Sequence, residues 1–273
     1  MGYTEAGKFI IKPHERHSPI SDFPRNAIIF HHHSYYDLAS KLAEAHPEIS
    51  IEESWPHALP SRRLLVCNGE PIILVNSLDS SERTIVAMEE LALKGTRNFI
   101  NIGSAGAINQ DLSLGDVVVG DRAIRDNGIT TVFVTPDVEA RSDPTLNQAL
   151  WDTATNDQGN LKKIVRGDIW STSSMYYTWD RLHEAQKSYD PIAVETEMAA
   201  VCIFAGWLNH NYGDRFDAPV RVGNLFYISD LLPKSEEEQW DDTMNQPQYH
   251  WQPKTQALLW AINTLSCLPD QSG

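Results

Sequence analysis

Three carboxylates, a run of small residues and a histidine cluster are the parts of this chain that could do chemistry. Glu195 and Glu197 stand two apart at the head of an apolar stretch, residues 194–205 (VETEMAAVCIFA). On an extended segment alternate side chains point the same way, so both acids could grip one ligand. At a helix start they would instead cap bare backbone N–H groups. Asp230, with Ser229 before it, follows the apolar run 224–228. An acid at the carboxyl end of a buried strand is where an open α/β sheet places its chemistry; the other reading is an N-cap. Gly103-Ser104-Ala105-Gly106 breaks the apolar run 99–102. Small residues there would expose backbone N–H groups to an anion or a sugar hydroxyl, or form a tight turn between two core strands. His31, His32 and His33 lie between a strand-like run, 27–30, and a helical pattern over 35–45. Backbone donors and the helix dipole favour an anion at such a place. A solvated loop and a metal site are the other readings, although adjacent histidines do not share a face and no further ligand spacing accompanies them.

Elements must hold these residues in place. Runs 64–67 and 72–75 bracket Asn68-Gly69-Glu70-Pro71, a hairpin signature. Residues 80–93 read as a helix stopped by Gly95, and Ser34 and Asp37 have capping-box spacing. Further strands are expected at 117–119 and 162–165, and helices at 144–154 and 255–265. Residues 167–177, rich in hydroxyls and aromatics, show no strong period. Residues 1–25 are polar, carry Pro13, Pro19 and Pro24, and read as an extended arm; residues 26–273 read as one domain. Alternating strands and helices make the chain α/β.

With 273 residues, 41% of them apolar, the chain can bury a sizeable core. A formal net charge of -15 disfavours nucleic acid or an anionic membrane as partner. Cys67, Cys202 and Cys267 show no CxxC spacing, which suggests buried thiols in a reducing compartment. No apolar run approaches the roughly 20 residues of a membrane span, and the first residues lack the apolar stretch of a secretory signal. The expectation is a cytoplasmic protein without metal or cofactor.

The strand leading into GSAG, then LSLGDVVVGD, RDNG, STSSMYY, VETEMAA and YISD, occur in the order seen in the nucleoside phosphorylase superfamily. The chain resembles that superfamily over roughly residues 26–265. It includes purine nucleoside and uridine phosphorylases, methylthioadenosine/S-adenosylhomocysteine nucleosidases and AMP nucleosidases. The resemblance implies a three-layer α/β/α sandwich around a mixed, partly barrel-like sheet, assembled as a homo-oligomer from dimer to hexamer. It implies cleavage of the N-glycosidic bond of a purine nucleoside, as in purine salvage. Phosphorolysis to free base and ribose 1-phosphate is the first expectation, with phosphate as co-substrate. Hydrolysis is the second, and a silent binding or storage member the third. Carried over by position, Glu197 would hold ribose hydroxyls, with Glu195 and Thr196 beside it. Asp230, next to Ser229, would protonate the departing base. Gly103, Ser104, Ala105 and Asn101 would line the place where nucleophile meets sugar. Met175 or Tyr176 would pack on the base, with Trp170, Tyr177 and Trp179 shaping the pocket. Two departures stand out: HHHS replaces the family's Gly-Asp-Pro-type loop, and Asn101 stands where phosphorylases tend to have Arg. His31, His32, His33 or Arg125 would then serve the phosphate or water, with Arg62, Arg63 and Arg122 as other sources of charge. The acidic, Trp-rich stretch 236–251 would be a lid or an oligomer contact.

Overall fold

The apolar runs of the sequence become strands buried on both faces. A computed structural model describes residues 2–6, 13–32, 34–78, 80–157, 163–238, 240–241 and 251–269. Its strands are β1 (Asn26–Phe30), β2 (Ile49–Glu52), β3 (Arg62–Cys67), β4 (Glu70–Asn76), β5 (Asn98–Ala107), β6 (Val117–Asp126), β7 (Ala140–Arg141), β8 (Ile164–Thr172), β9 (Ala193–Glu195) and β10 (Arg221–Leu231). Its helices are α1 (Pro13–Arg16), α2 (Ser34–Ala45), α3 (Ser81–Lys94), α4 (Thr130–Phe133), α5 (Pro144–Asn156), α6 (Trp179–Tyr189), α7 (Met198–Tyr212) and α8 (Trp251–Ser266). His33 and most of the stretch 236–251 lie outside the described residues.

β5 is the hub of the sheet. On one side the order β5-β1-β4-β3-β2 makes an arm, with β1 parallel to both β5 and β4. On the other, β5 pairs parallel with β10, β10 antiparallel with β6, β6 parallel with β8, β8 parallel with β9, and β9 antiparallel with β5 again. Five strands thus close into a small barrel, while β7 borders β6. Alternation sorts the core into two layers. Ile28, Phe30, Ile100 and Ile102 face α2, α5 and α8; Ala27, Ile29, Phe99 and Val222 face α3 and α7. The result is the expected three-layer α/β/α sandwich with a mixed, partly barrel-like sheet.

Local signals hold where they are strong. Asn68 and Gly69, at φ 52 and 86, make the two-residue turn between β3 and β4. Ser80 caps α3 by accepting from Arg83 N, and Gly95, at φ 147, ends that helix. Three expectations are corrected. β5 does not break at Gly103 but runs through GSAG to Ala107. A Cβ on Gly103 would meet the Phe226 ring at 3.2 Å, and one on Gly106 would meet Asp230 Oδ2 at 2.7 Å. The small residues therefore admit the neighbouring strand rather than make a turn. Residues 167–172, which show no strong period in the sequence, belong to β8 because β6 and β9 flank them. The leading segment is not wholly extended: Pro13–Arg16 is a helical turn, and Tyr3 bridges Val134. Cys67 and Cys202 are buried as expected, but Cys267 is exposed. No helix among the described residues is long and apolar enough to cross a membrane.

Candidate active site

The register of β5 opens a gap. β1 pairs with it as far as Phe30↔Ile102, and β9 begins only at Gly106↔Val194. Between them Gly103, Ser104 and Ala105 have no strand on that side among the described residues. A cavity of about 540 Å³ lies against this gap, ringed by the carboxyl ends of strands. Thr172 comes from the end of β8, Glu195 from β9, and Ser229 and Asp230 from β10; His31 follows β1. Met175 and the rings of Tyr176, Tyr177, Trp179 and Trp240 form one wall. Eleven predicted site residues meet there: His31, Gly103, Ser104, Ala105, Met175, Tyr176, Glu195, Thr196, Glu197, Ser229 and Asp230.

Only one of the two glutamates caps the following helix. Glu195 Oε2 accepts from the backbone N–H of Glu197 at 2.6 Å and of Met198 at 2.8 Å, capping α7. Its Oε1 is buried without a hydrogen-bond partner. Burial, then the neighbouring Glu197 charge, push this carboxyl well above the usual carboxylate range, against the two amide bonds and the Ser171 hydroxyl. Glu197 makes no capping bond; its carboxylate lines the cavity and accepts from Thr196 Oγ1 at 2.5 Å. Asp230 is no N-cap, since β10 continues through it with a bulge between Ile228 and Asp230. Asp230 Oδ1 accepts from Ser229 Oγ at 2.6 Å and Oδ2 from Trp240 Nε1 at 3.0 Å. Tyr177, raised by burial and then by the Asp230 charge, keeps its phenol proton.

Other predicted residues lie elsewhere. Asn101 is fully buried beneath the cavity rather than lining it. Its Nδ2 donates to Asn224 Oδ1 at 3.0 Å, so its Oδ1 faces His31 and accepts from Nε2–H at 2.9 Å. Ser77 Oγ is hydrogen-bonded to His31 Nδ1 at 2.8 Å. Both ring nitrogens of His31 are thereby committed, although the ring borders the cavity. His32 is exposed, and its Nδ1 accepts from Ser34 N at 3.1 Å at the start of α2. Arg125 lies outside the cavity, where it donates to the carbonyls of Thr135 at 2.9 Å and Val138 at 2.8 Å. Arg62 pairs with Glu90 at 2.8 Å, and Arg122 with Asp168; Arg63 lies over the Tyr36 ring. Among the described residues no lysine or arginine lines the cavity, and no group of three or more His, Cys, Asp and Glu could hold a metal ion. Sequence reasoning missed Ser77, which no motif marks, and the placement of Trp240, whose one signal is an indole among acids.

Fold and site define an α/β sandwich with an acidic, aromatic-walled cavity at the carboxyl ends of its strands. The family model described as Phosphorylase superfamily matches residues 37–262, and the chain belongs to that superfamily. It is 33% identical to uridine phosphorylase of Haemophilus influenzae over 87 residues, 32% of this chain and 34% of the relative. It is 26% identical to the DeoD-type purine nucleoside phosphorylase of Chromobacterium violaceum over 165 residues, 60% of this chain and 64% of the relative. With AMP nucleosidase of Escherichia coli K12 it shares 26% over 192 residues, 67% of this chain and 38% of the relative. The chain thus spans less than two thirds of the length of each of these relatives. Uridine phosphorylase from Vibrio fischeri ES114 matches in structure with a TM-score of 0.68 at 18% identity, covering 92% of this chain and 95% of that one. Purine nucleoside phosphorylase from Toxoplasma gondii, in complex with immucillin-H, matches at 0.69 and 17%, covering 94% and 95%. Likeness at such identity shows the fold.

Proposed function

We propose that this chain hydrolyses the N-glycosidic bond of a neutral purine nucleoside. One observation carries the choice of water over phosphate: three carboxyl groups line the cavity and, among the described residues, no lysine or arginine does. A phosphate dianion in such a place lacks the cations that ordinarily hold it. The same surroundings suit the positive charge that builds on the sugar as the bond breaks. In this reading Glu197 holds the ribose hydroxyls, and Ser104 with its neighbours forms the floor beneath the sugar. Asp230 gives a proton to the base nitrogen while the glycosidic electron pair leaves with the base. Water adds its oxygen to the sugar carbon and loses a proton to a carboxylate at the sugar. The Ser229-Asp230 pair, which the resemblance matches to the purine-cleaving members, supports a purine. Assembly with further copies of the chain is part of the proposal and rests on the resemblance alone.

Phosphorolysis is the second reading, favoured by the phosphorylases among the matched relatives. Release of free base from adenosine, inosine and methylthioadenosine, with and without phosphate, separates the two. The expected result is equal release in both conditions, with free sugar as product. A requirement for phosphate, with ribose 1-phosphate formed, would overturn hydrolysis. No release from any nucleoside would leave a binding protein, to be tested by direct titration.

A further inference from the structure

Asp230 is held by a residue from outside its own strand. After β10 the chain turns back, and Asp241 pairs with Leu231: Leu231 N donates to Asp241 O at 2.9 Å, and Asp241 N to Leu231 O at 3.4 Å. Lys234 N, donating to Glu238 Oε2 at 2.7 Å, tightens the turn. The return places Trp240, one residue before the pairing, at the cavity wall with its indole N–H on Asp230 Oδ2 at 3.0 Å. Ser229 holds the other oxygen at 2.6 Å. One donor on each oxygen fixes the plane of the carboxyl group. Gly106 permits the approach, since a Cβ there would lie 2.7 Å from the same Oδ2. An indole has one N–H and no acceptor, so it can orient the carboxyl group but cannot take its proton.

We propose that Trp240 is the positioning residue for Asp230, an inference that rests on the reading of Asp230 as the acid for the departing base. Trp240 aims the carboxyl group so that its O–H bond breaks as the base N–H bond forms and the glycosidic electron pair stays on the base. Misaiming a catalytic group costs on the order of tenfold to a hundredfold.

The test is Trp240→Phe, which keeps a ring in the wall and removes the N–H. Trp240 is 53% exposed, so the change leaves the core intact. Two substrates are compared: a purine nucleoside, and nitrophenyl riboside, whose leaving group departs without a proton. The expected result is a kcat on the nucleoside that falls about tenfold further than kcat on the nitrophenyl riboside, with little change in KM. Equal losses on both substrates, or a rise in KM alone, overturn the inference and make Trp240 a wall. Asp230→Asn separates the two levels. Purine release at the wild-type rate in Asp230→Asn overturns the reading of Asp230, and the inference with it. Loss of release in Asp230→Asn, with Trp240→Phe equal to wild type, overturns the inference alone.

Discussion

A buried carboxyl group that offers one oxygen to two backbone amides and leaves the other bare is pulled both ways over its proton. At Glu195 burial and the Glu197 charge prevail, and its pKa is pushed up to about 8 from an ordinary 4.5. The folded state then binds more protons than the unfolded chain between those values. The contribution of Glu195 to stability is full below about pH 4.5 and is lost as pH rises toward 8. Glu195→Gln, a neutral group that still caps α7 through its oxygen, removes that dependence. Thermal melts at pH 5 and pH 8 are expected to show the wild type losing about 1–3 kcal/mol more than the variant. Parallel losses in the two proteins would show that Glu195 is charged in the folded state. The two-residue spacing of the acids was legible in the sequence, but their division of labour was not. It depends on which carboxylate the first turn of α7 faces, and no pattern of residue types states that.

Strands β1, β5 and β10 are joined through side chains as well as backbone. His31, Asn101 and Asn224 form a hydrogen-bonded row across them, and Asn224 Nδ2 extends it to Ser142 Oγ at 3.0 Å. Every link is buried, so removing the middle one strands a donor on His31 and an acceptor on Asn224. Asn101→Ala is expected to cost about 2–5 kcal/mol from these unpaired groups and the small void. Urea titration at neutral pH measures it. A loss under about 0.5 kcal/mol would mean that water replaces the amide, and the row would then be no structural tie. The elements themselves were legible where short-range chemistry settles them, as at Asn68-Gly69, Ser80 and Gly95. They were not legible where a distant strand decides. Gly103 to Gly106 carries a turn composition, yet Phe226 and Asp230 require small residues in a continuing strand. Arg125 looks free in the sequence because nothing there announces that the carbonyls of residues 135 and 138 converge on it. The return of the chain after β10, which brings Trp240 to Asp230, rests on the Leu231–Asp241 pairing, which no turn motif announces.

The whole molecule carries a formal net charge of -15, and its cavity is lined by three carboxyl groups, Glu195, Glu197 and Asp230, with no described lysine or arginine to balance them. Distant surface charges are screened within about 8–10 Å at physiological salt, but charges at the wall of a half-enclosed site are screened much less. Two like charges about 4 Å apart repel by about 1 kcal/mol in water and by several times that where the effective dielectric falls to about 20. A 5′-phosphate on the substrate would meet that repulsion with no described lysine or arginine at the cavity to offset it. One matched relative is an AMP nucleosidase, so nucleoside and nucleotide are a fair contest. The expected outcome is that kcat/KM for adenosine exceeds that for AMP by about tenfold or more at low salt, since about 1.4 kcal/mol is a factor of ten. The gap should narrow as salt is raised, because screening weakens the repulsion. A preference for AMP would place a cation at the 5′ end of the bound substrate, from residues beyond those described or from a second copy of the chain. Hydrolysis by water would then lose its main support, because that support is the absence of a lysine or arginine at the cavity among the described residues.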